Sequence, residues 1–173
     1  MAIIGTPSTA GRRRVSAPPT CDNRPVSAVR RQTFIAAPPR VVWDLIADVD
    51  RHPEWWPGVA EVHCEELARG CTYREVIRTP FGKAERNFLI EDLDDPSRFR
   101  INCVDTGAFL DLTLTEAQGG CFVEASAGME PRTLGMRAFD TLAGPRYWRT
   151  WLDRSLDAMN RVACERAGAP NPG

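Results

Sequence analysis

The sequence predicts an α+β domain in which a curved seven-stranded antiparallel sheet wraps a long C-terminal helix. Three observations predict it. Between positions 59 and 129, six segments alternate apolar and polar residues across short turn signals, the pattern of antiparallel neighbours with one covered face. Ahead of them stand one more strand-like segment and two short helical stretches opened by prolines. Behind them, from Gly144-Pro145 to about Arg166, the apolar period changes from two to that of a helix.

The 173 residues suffice for one domain whose core needs no staples. Its bounds are read as 27–167, with tails at 1–26 and 168–173. The N-terminal tail carries Pro7, Pro18, Pro19 and Pro25, a basic run Arg12-Arg13-Arg14 and no hydrophobic period, so it is expected to be disordered. Apolar residues make up 43% and charged residues 26%, an ordinary globular balance. A net charge of -1 offers no global field for nucleic acid. Six cysteines, Cys21, Cys64, Cys71, Cys103, Cys121 and Cys164, stand singly with no C-x-x-C pair, which argues against a zinc or redox motif. With no signal peptide in view, they read as reduced thiols of a cytoplasmic protein. No apolar run is long enough for stable membrane insertion.

The elements follow in order. Val29–Ala36 reads as a strand, and Pro38-Pro39 opens a helix at a position that tolerates proline. Val42, Leu45, Ile46 and Val49 form its apolar face. Pro53 and Pro57 bracket a second, very short helix holding Trp55 and Trp56. Six strands are then expected at about Val59–Leu67, Thr72–Thr79, Lys83–Leu93, Arg98–Asp105, Ala108–Glu116 and Cys121–Met129, with turn residues such as Gly70, Gly82, Gly107 and Gly119 between them. On the long helix, Trp148, Trp151, Leu152, Leu156, Met159, Val162 and Ala163 share one stripe, opposite Arg146, Arg149, Asp153, Asp157 and Arg161. That stripe requires an apolar partner, and the sheet is the only large one.

Following one face through the hairpins gives Ala60, Val62, Cys64, Tyr73, Glu75, Ile77, Ala84, Arg86, Phe88, Ile90, Phe99, Ile101, Cys103, Asp105, Leu110, Leu112, Leu114, Val123, Ala125, Ala127 and Met129. The other face is dominated by Arg74, Arg78, Glu85, Glu91, Arg98, Arg100, Asn102, Asp111 and Glu124. The first face is the covered one. It carries several small residues, which leave space beneath a helix, and three charged ones. In this register Arg86 stands opposite Ile77 and Asp105, with Glu75 on the diagonal, all within side-chain reach. Buried charge must be paired, so the three form either a self-satisfied cluster or a polar anchor in an apolar pocket. The candidate cavity residues are Tyr73, Glu75, Ile77, Arg86, Phe88, Phe99, Ile101, Cys103, Asp105, Leu112, Ala125, Trp148, Leu152 and Leu156.

Of the tryptophans, Trp43, Trp148 and Trp151 are expected in the core. One of Trp55 and Trp56 should plug the sheet edge and the other reach the cavity mouth. His63 falls on the wet face and His52 at a helix start, so neither is read as catalytic or metal-binding. A phosphate-cradling glycine loop, a nucleophile elbow and metal-ligand spacing are all missing, and no cofactor or metal is expected.

The stretch Ile35-Ala36-Ala37-Pro38-Pro39-Arg40-Val41-Val42-Trp43-Asp44-Leu45-Ile46-Ala47-Asp48, continued by Pro53, Trp55, Pro57, Gly58, Val59 and Gly70, resembles the START/Bet v 1-like (SRPBCC) superfamily and its polyketide cyclase/dehydrase-like branch. The resemblance implies the helix-grip fold and a cavity between sheet and long helix, but no catalytic motif. The function expected from it is binding or carriage of an apolar small molecule such as a lipid, a polyketide or another aromatic or isoprenoid-like compound. A cyclase/dehydratase-type enzyme using the same cavity is the alternative, and a stress or interaction protein with a vestigial cavity is the third. The expected partner is that apolar ligand, without nucleic acid, and a homodimer is left open.

Overall fold

A computed structural model of the protein describes residues 27–79 and 82–168. The two segments read above as tails, 1–26 and the stretch after Gly168, lie outside the described residues. Strand β1 (Ser27–Ile35) leads through the double proline into helix α1 (Pro39–Ala47). One 3-10 turn (Val49–Arg51) joins α1 to the four-residue helix α2 (His52–Trp55). Strands β2 (Val59–His63), β3 (Thr72–Thr79), β4 (Gly82–Asp94), β5 (Arg98–Cys103), β6 (Ala108–Ala117) and β7 (Gly120–Met129) run as a meander. Helices α3 (Leu134–Leu142) and α4 (Gly144–Ala167) complete the domain.

All seven strands form one antiparallel sheet in the order β1-β7-β6-β5-β4-β3-β2. The first strand thus closes on the last, nearly a hundred residues on, and α1 and α2 span the gap between the sheet's two edges. Close backbone approach holds two corners: a Cβ on Gly107 would strike the Glu130 carbonyl, and one on Gly120 the Ile35 carbonyl. Gly107 also has φ +74°, a conformation open to glycine. The 24-residue α4 lies in the curve of the sheet against β1 and β7, with α1 and α2 on its other side. Its buried stripe is Trp148, Leu152, Ser155, Leu156, Met159, Val162 and Ala163, and Gly168 in the left-handed region ends it.

Three features correct the sequence-based expectation. First, Thr79 pairs with Gly82, so Glu75 stands directly opposite Arg86, and Ile77 opposite Ala84. The slip is two residues, an even number, so every side chain keeps its face. Second, the register shifts between Val59 and Glu61. A bulge there puts Val59 in the core while Ala60 is only half-buried. Third, α3 is an additional helix. Thr133 caps it by accepting from the Met136 N–H at 3.3 Å, yet Asp140 is its only buried residue. Its apolar residues recur at helical spacing, but Leu134 and Leu142 face solvent instead of the sheet.

Candidate functional site

The sheet curves away from the first half of α4, and α3 roofs the gap. The result is a cavity of about 510 Å³, within the range of small-molecule sites. Its floor is built by alternation: Ile77 on β3, Ala84, Arg86 and Phe88 on β4, Cys103 on β5, Leu110 on β6 and Met129 on β7. Its wall is aromatic, with Trp56 and Pro57 after α2, Phe139 from α3, and Tyr147, Trp148 and Trp151 from α4. Phe139 and Tyr147 also reach solvent, 39% and 49% exposed, and so mark the mouth. Small side chains at Ala84, Cys103 and Ala108 create the space.

Polar groups on this lining are few. Arg86 is half-buried, and its Nη1 donates to the Glu85 carbonyl at 2.7 Å. Thr106 stands at the β5–β6 corner. The Trp148 indole N–H is buried without a protein partner, whereas that of Trp151 donates to the Pro57 carbonyl at 3.3 Å. A buried donor left unmade costs about 1–3 kcal/mol, and the Trp148 nitrogen is sealed within the packing rather than open to the void. Burial raises the pKa of the Tyr147 hydroxyl, which therefore stays protonated at neutral pH.

Of the fourteen residues singled out from the sequence, Ile77, Arg86, Phe88, Cys103 and Trp148 line this cavity. Tyr73, Phe99, Ile101, Leu112, Ala125, Leu152 and Leu156 are packed core. Asp105 is exposed and accepts the Asn87 backbone N–H at 2.9 Å. Glu75 is fully buried, but its carboxylate turns to His52. The expected Glu75–Arg86–Asp105 cluster is therefore not formed: Glu75 pairs through one oxygen with His52, Arg86 donates to a backbone carbonyl, and Asp105 accepts from Asn87. Both Trp55 and Trp56 are buried, and the Trp55 N–H donates to the Leu45 carbonyl at 3.1 Å, so neither is exposed at the mouth.

Sequence reasoning missed His52. Its ring is inaccessible, with Nε2 3.1 Å from the Ile46 carbonyl and Nδ1 3.0 Å from Glu75 Oε1. A carbonyl only accepts, so Nε2 carries a proton. Tyr73 lies beside this pair; burial first, then the Glu75 carboxylate, push its hydroxyl well above the usual tyrosine pKa. Trp56 and Phe88 pack between this group and the cavity, with ring centroids 5.0 Å from His52 to Trp56 and 5.7 Å from Tyr73 to Phe88. The available sequence signal was a lone acid on a covered face, which demands a partner, with a proline-bracketed histidine able to supply one.

A polar groove on the convex face is lined by Arg30, Arg100, Asp111, Glu124 and Glu130 among others, and within it Arg100 pairs with Asp111 at 3.0 Å. Among the described residues no group of His, Cys, Asp and Glu side chains is arranged to hold a metal ion. No helix there is long and apolar enough to cross a membrane.

Comparison with known proteins bears on this geometry. Residues 27–163 match the family described as polyketide cyclase/dehydrase and lipid transport. Comparison with curated protein sequences finds no match. Among solved structures, a Nitrosomonas europaea protein superposes with TM-score 0.65 at 14% identity, over 80% of this chain and 95% of that one. An AHSA1-like protein from Aeromonas hydrophila gives 0.62 at 16% identity, over 84% and 97%. Ara h 8.0201 gives 0.61 at 11% identity, over 83% and 98%. At these identities the likeness speaks for the fold alone: a Bet v 1-like helix grip.

Proposed function

This chain belongs to the polyketide cyclase/dehydrase and lipid-transport family, and on that premise we propose that it binds an apolar, oxygen-bearing small molecule in the cavity under α3 and α4. The observation that carries the reading is the cavity lining: about 510 Å³ of largely aromatic and aliphatic surface with one charged donor, Arg86, on its floor. An apolar body supplies affinity by area, and a carbonyl, carboxylate or enolate oxygen would meet Arg86. Carriage needs only such a space and a mouth. Cyclase or dehydratase chemistry needs a proton-moving group held inside the cavity; the His52–Glu75 pair sits behind Trp56 and Phe88, and Tyr147 stands at the half-exposed mouth. The geometry therefore favours binding.

The test pairs two apolar fluorescent probes of like shape, one carrying a carboxylate and one uncharged. Both should bind the full-length protein, and Ala84→Trp, which fills the floor, should abolish both. Arg86→Met should weaken the carboxylate probe by a charge-assisted hydrogen bond, about 1.5–3 kcal/mol, and leave the uncharged probe unchanged. Binding of both probes undiminished by Ala84→Trp would place them elsewhere and refute the reading.

A further inference from the structure

The net charge of -1 conceals a local asymmetry at the cavity mouth. From Pro131 to Leu152 the chain carries Arg132, Arg137, Arg146 and Arg149, all exposed, against a single acid, Asp140, which is buried. The same segment holds the two most exposed large apolar side chains among the described residues, Leu134 at 81% and Leu142 at 86%. Leu134, Ala138 and Leu142 follow at i, i+4 and i+8 on one side of α3, with Arg137 flanking them. Val104, 43% exposed, adjoins this surface, because the Arg132 guanidinium donates to its carbonyl at 2.8 Å. The acids at its border are engaged elsewhere: Asp105 accepts from Asn87, Glu130 lines the convex groove, and Asp153 pairs with Arg31 at 2.7 Å.

We propose that α3 and the α3–α4 corner dock this protein, peripherally and reversibly, on an anionic lipid bilayer. A short amphipathic helix with leucines on one side and arginines beside them lies in the headgroup plane. Each arginine near an anionic leaflet adds about 1 kcal/mol. Charge selects this occupant over a second copy of the chain, since a two-fold contact through this face would set four arginines against four. Phe139 and Tyr147 belong both to this surface and to the cavity lining. The docked protein therefore turns its mouth to the bilayer, and an apolar ligand passes between them without crossing water.

Co-sedimentation of the full-length protein with phosphatidylcholine vesicles, with and without phosphatidylglycerol, tests this directly. The assay uses no cavity ligand, so it stands or fails separately from the binding reading. Retention on the phosphatidylglycerol vesicles alone, lost at high salt, is the expected result. Arg137→Ala should weaken the partition about fivefold, the share of one basic residue, and Leu142→Asp about tenfold or more. Leu142 is exposed and off the cavity lining, so both variants should keep their circular dichroism and their uptake of the apolar probes. Two results would overturn the proposal. One is equal sedimentation of wild type and Leu142→Asp. The other is absence of vesicle binding together with a dimer in light scattering that Leu142→Asp dissociates, which would make the face a self-interface.

Discussion

Asp111 accepts from Arg98 at 2.9 Å and from Arg100 at 3.0 Å, and Arg100 also reaches Glu91 at 2.7 Å. The cluster sits on the convex face, across three strands. Partial burial alone would raise the Asp111 pKa, but hydrogen bonds and charge from the two arginines outweigh it and hold the carboxyl below its ordinary value. The folded pKa thus lies below the unfolded one. The resulting stability is present above the ordinary aspartate range and is lost as pH falls through the folded value. Asp111→Asn should cost about 1 kcal/mol at neutral pH, as expected for a surface network. The difference should shrink toward zero as pH drops below the carboxylate range. Denaturant midpoints of both proteins across that range measure it, and a pH-independent difference would show that packing, not charge, is what the asparagine loses.

At the scale of elements, α4 does two jobs along its length. Its first turns present Tyr147, Trp148 and Trp151 to the cavity, while Leu156 further along is 5% exposed in the packed core. Leu156→Ala should therefore cost about 2–5 kcal/mol, the toll of truncating a well-packed leucine, with little effect on probe affinity. A loss well under 1 kcal/mol would mean the cavity extends to that residue. Alternation and turn glycines made the meander and its faces legible, and the 3.6-residue stripe made α4 legible. Three things were not. The two-residue slip between β3 and β4 leaves the hydrophobic pattern unchanged, so the pattern cannot detect it. The bulge at Ala60 breaks a period of two within a five-residue strand, too short to show the break. Helix α3 has a helical apolar period, but its leucines point to solvent, and a reading that assigns apolar faces to the core has no place for it.

For the whole molecule, the candidate site divides along the same line. Phe88, Cys103 and Trp148 could be placed because strand and helix periodicity assigns faces. The His52–Glu75 pair joins residues 23 apart through a loop path that no period encodes. The size of the cavity depends on where α3 and the start of α4 come to rest, which is a property of packing. Occupancy should feed back on the fold. A ligand that binds only the native state adds about 2.7 kcal/mol of stability at a hundred times its dissociation constant. A probe that binds without raising the melting temperature would be sitting on partly unfolded chain.

Of the five tryptophans in the chain, Trp56, Trp148 and Trp151 stand around the cavity, with centroids 5.4 Å apart from Trp56 to Trp151 and 6.0 Å from Trp148 to Trp151. Trp43 and Trp55 are sealed in the core. The protein thereby contains its own optical gauge. The three indoles at the cavity, with Trp55 joined to them through Trp56 at 5.5 Å, transfer excitation among themselves and emit according to what fills the space beside them. Loading and emptying could be followed in real time from intrinsic emission, with no label attached, including while the protein meets a vesicle.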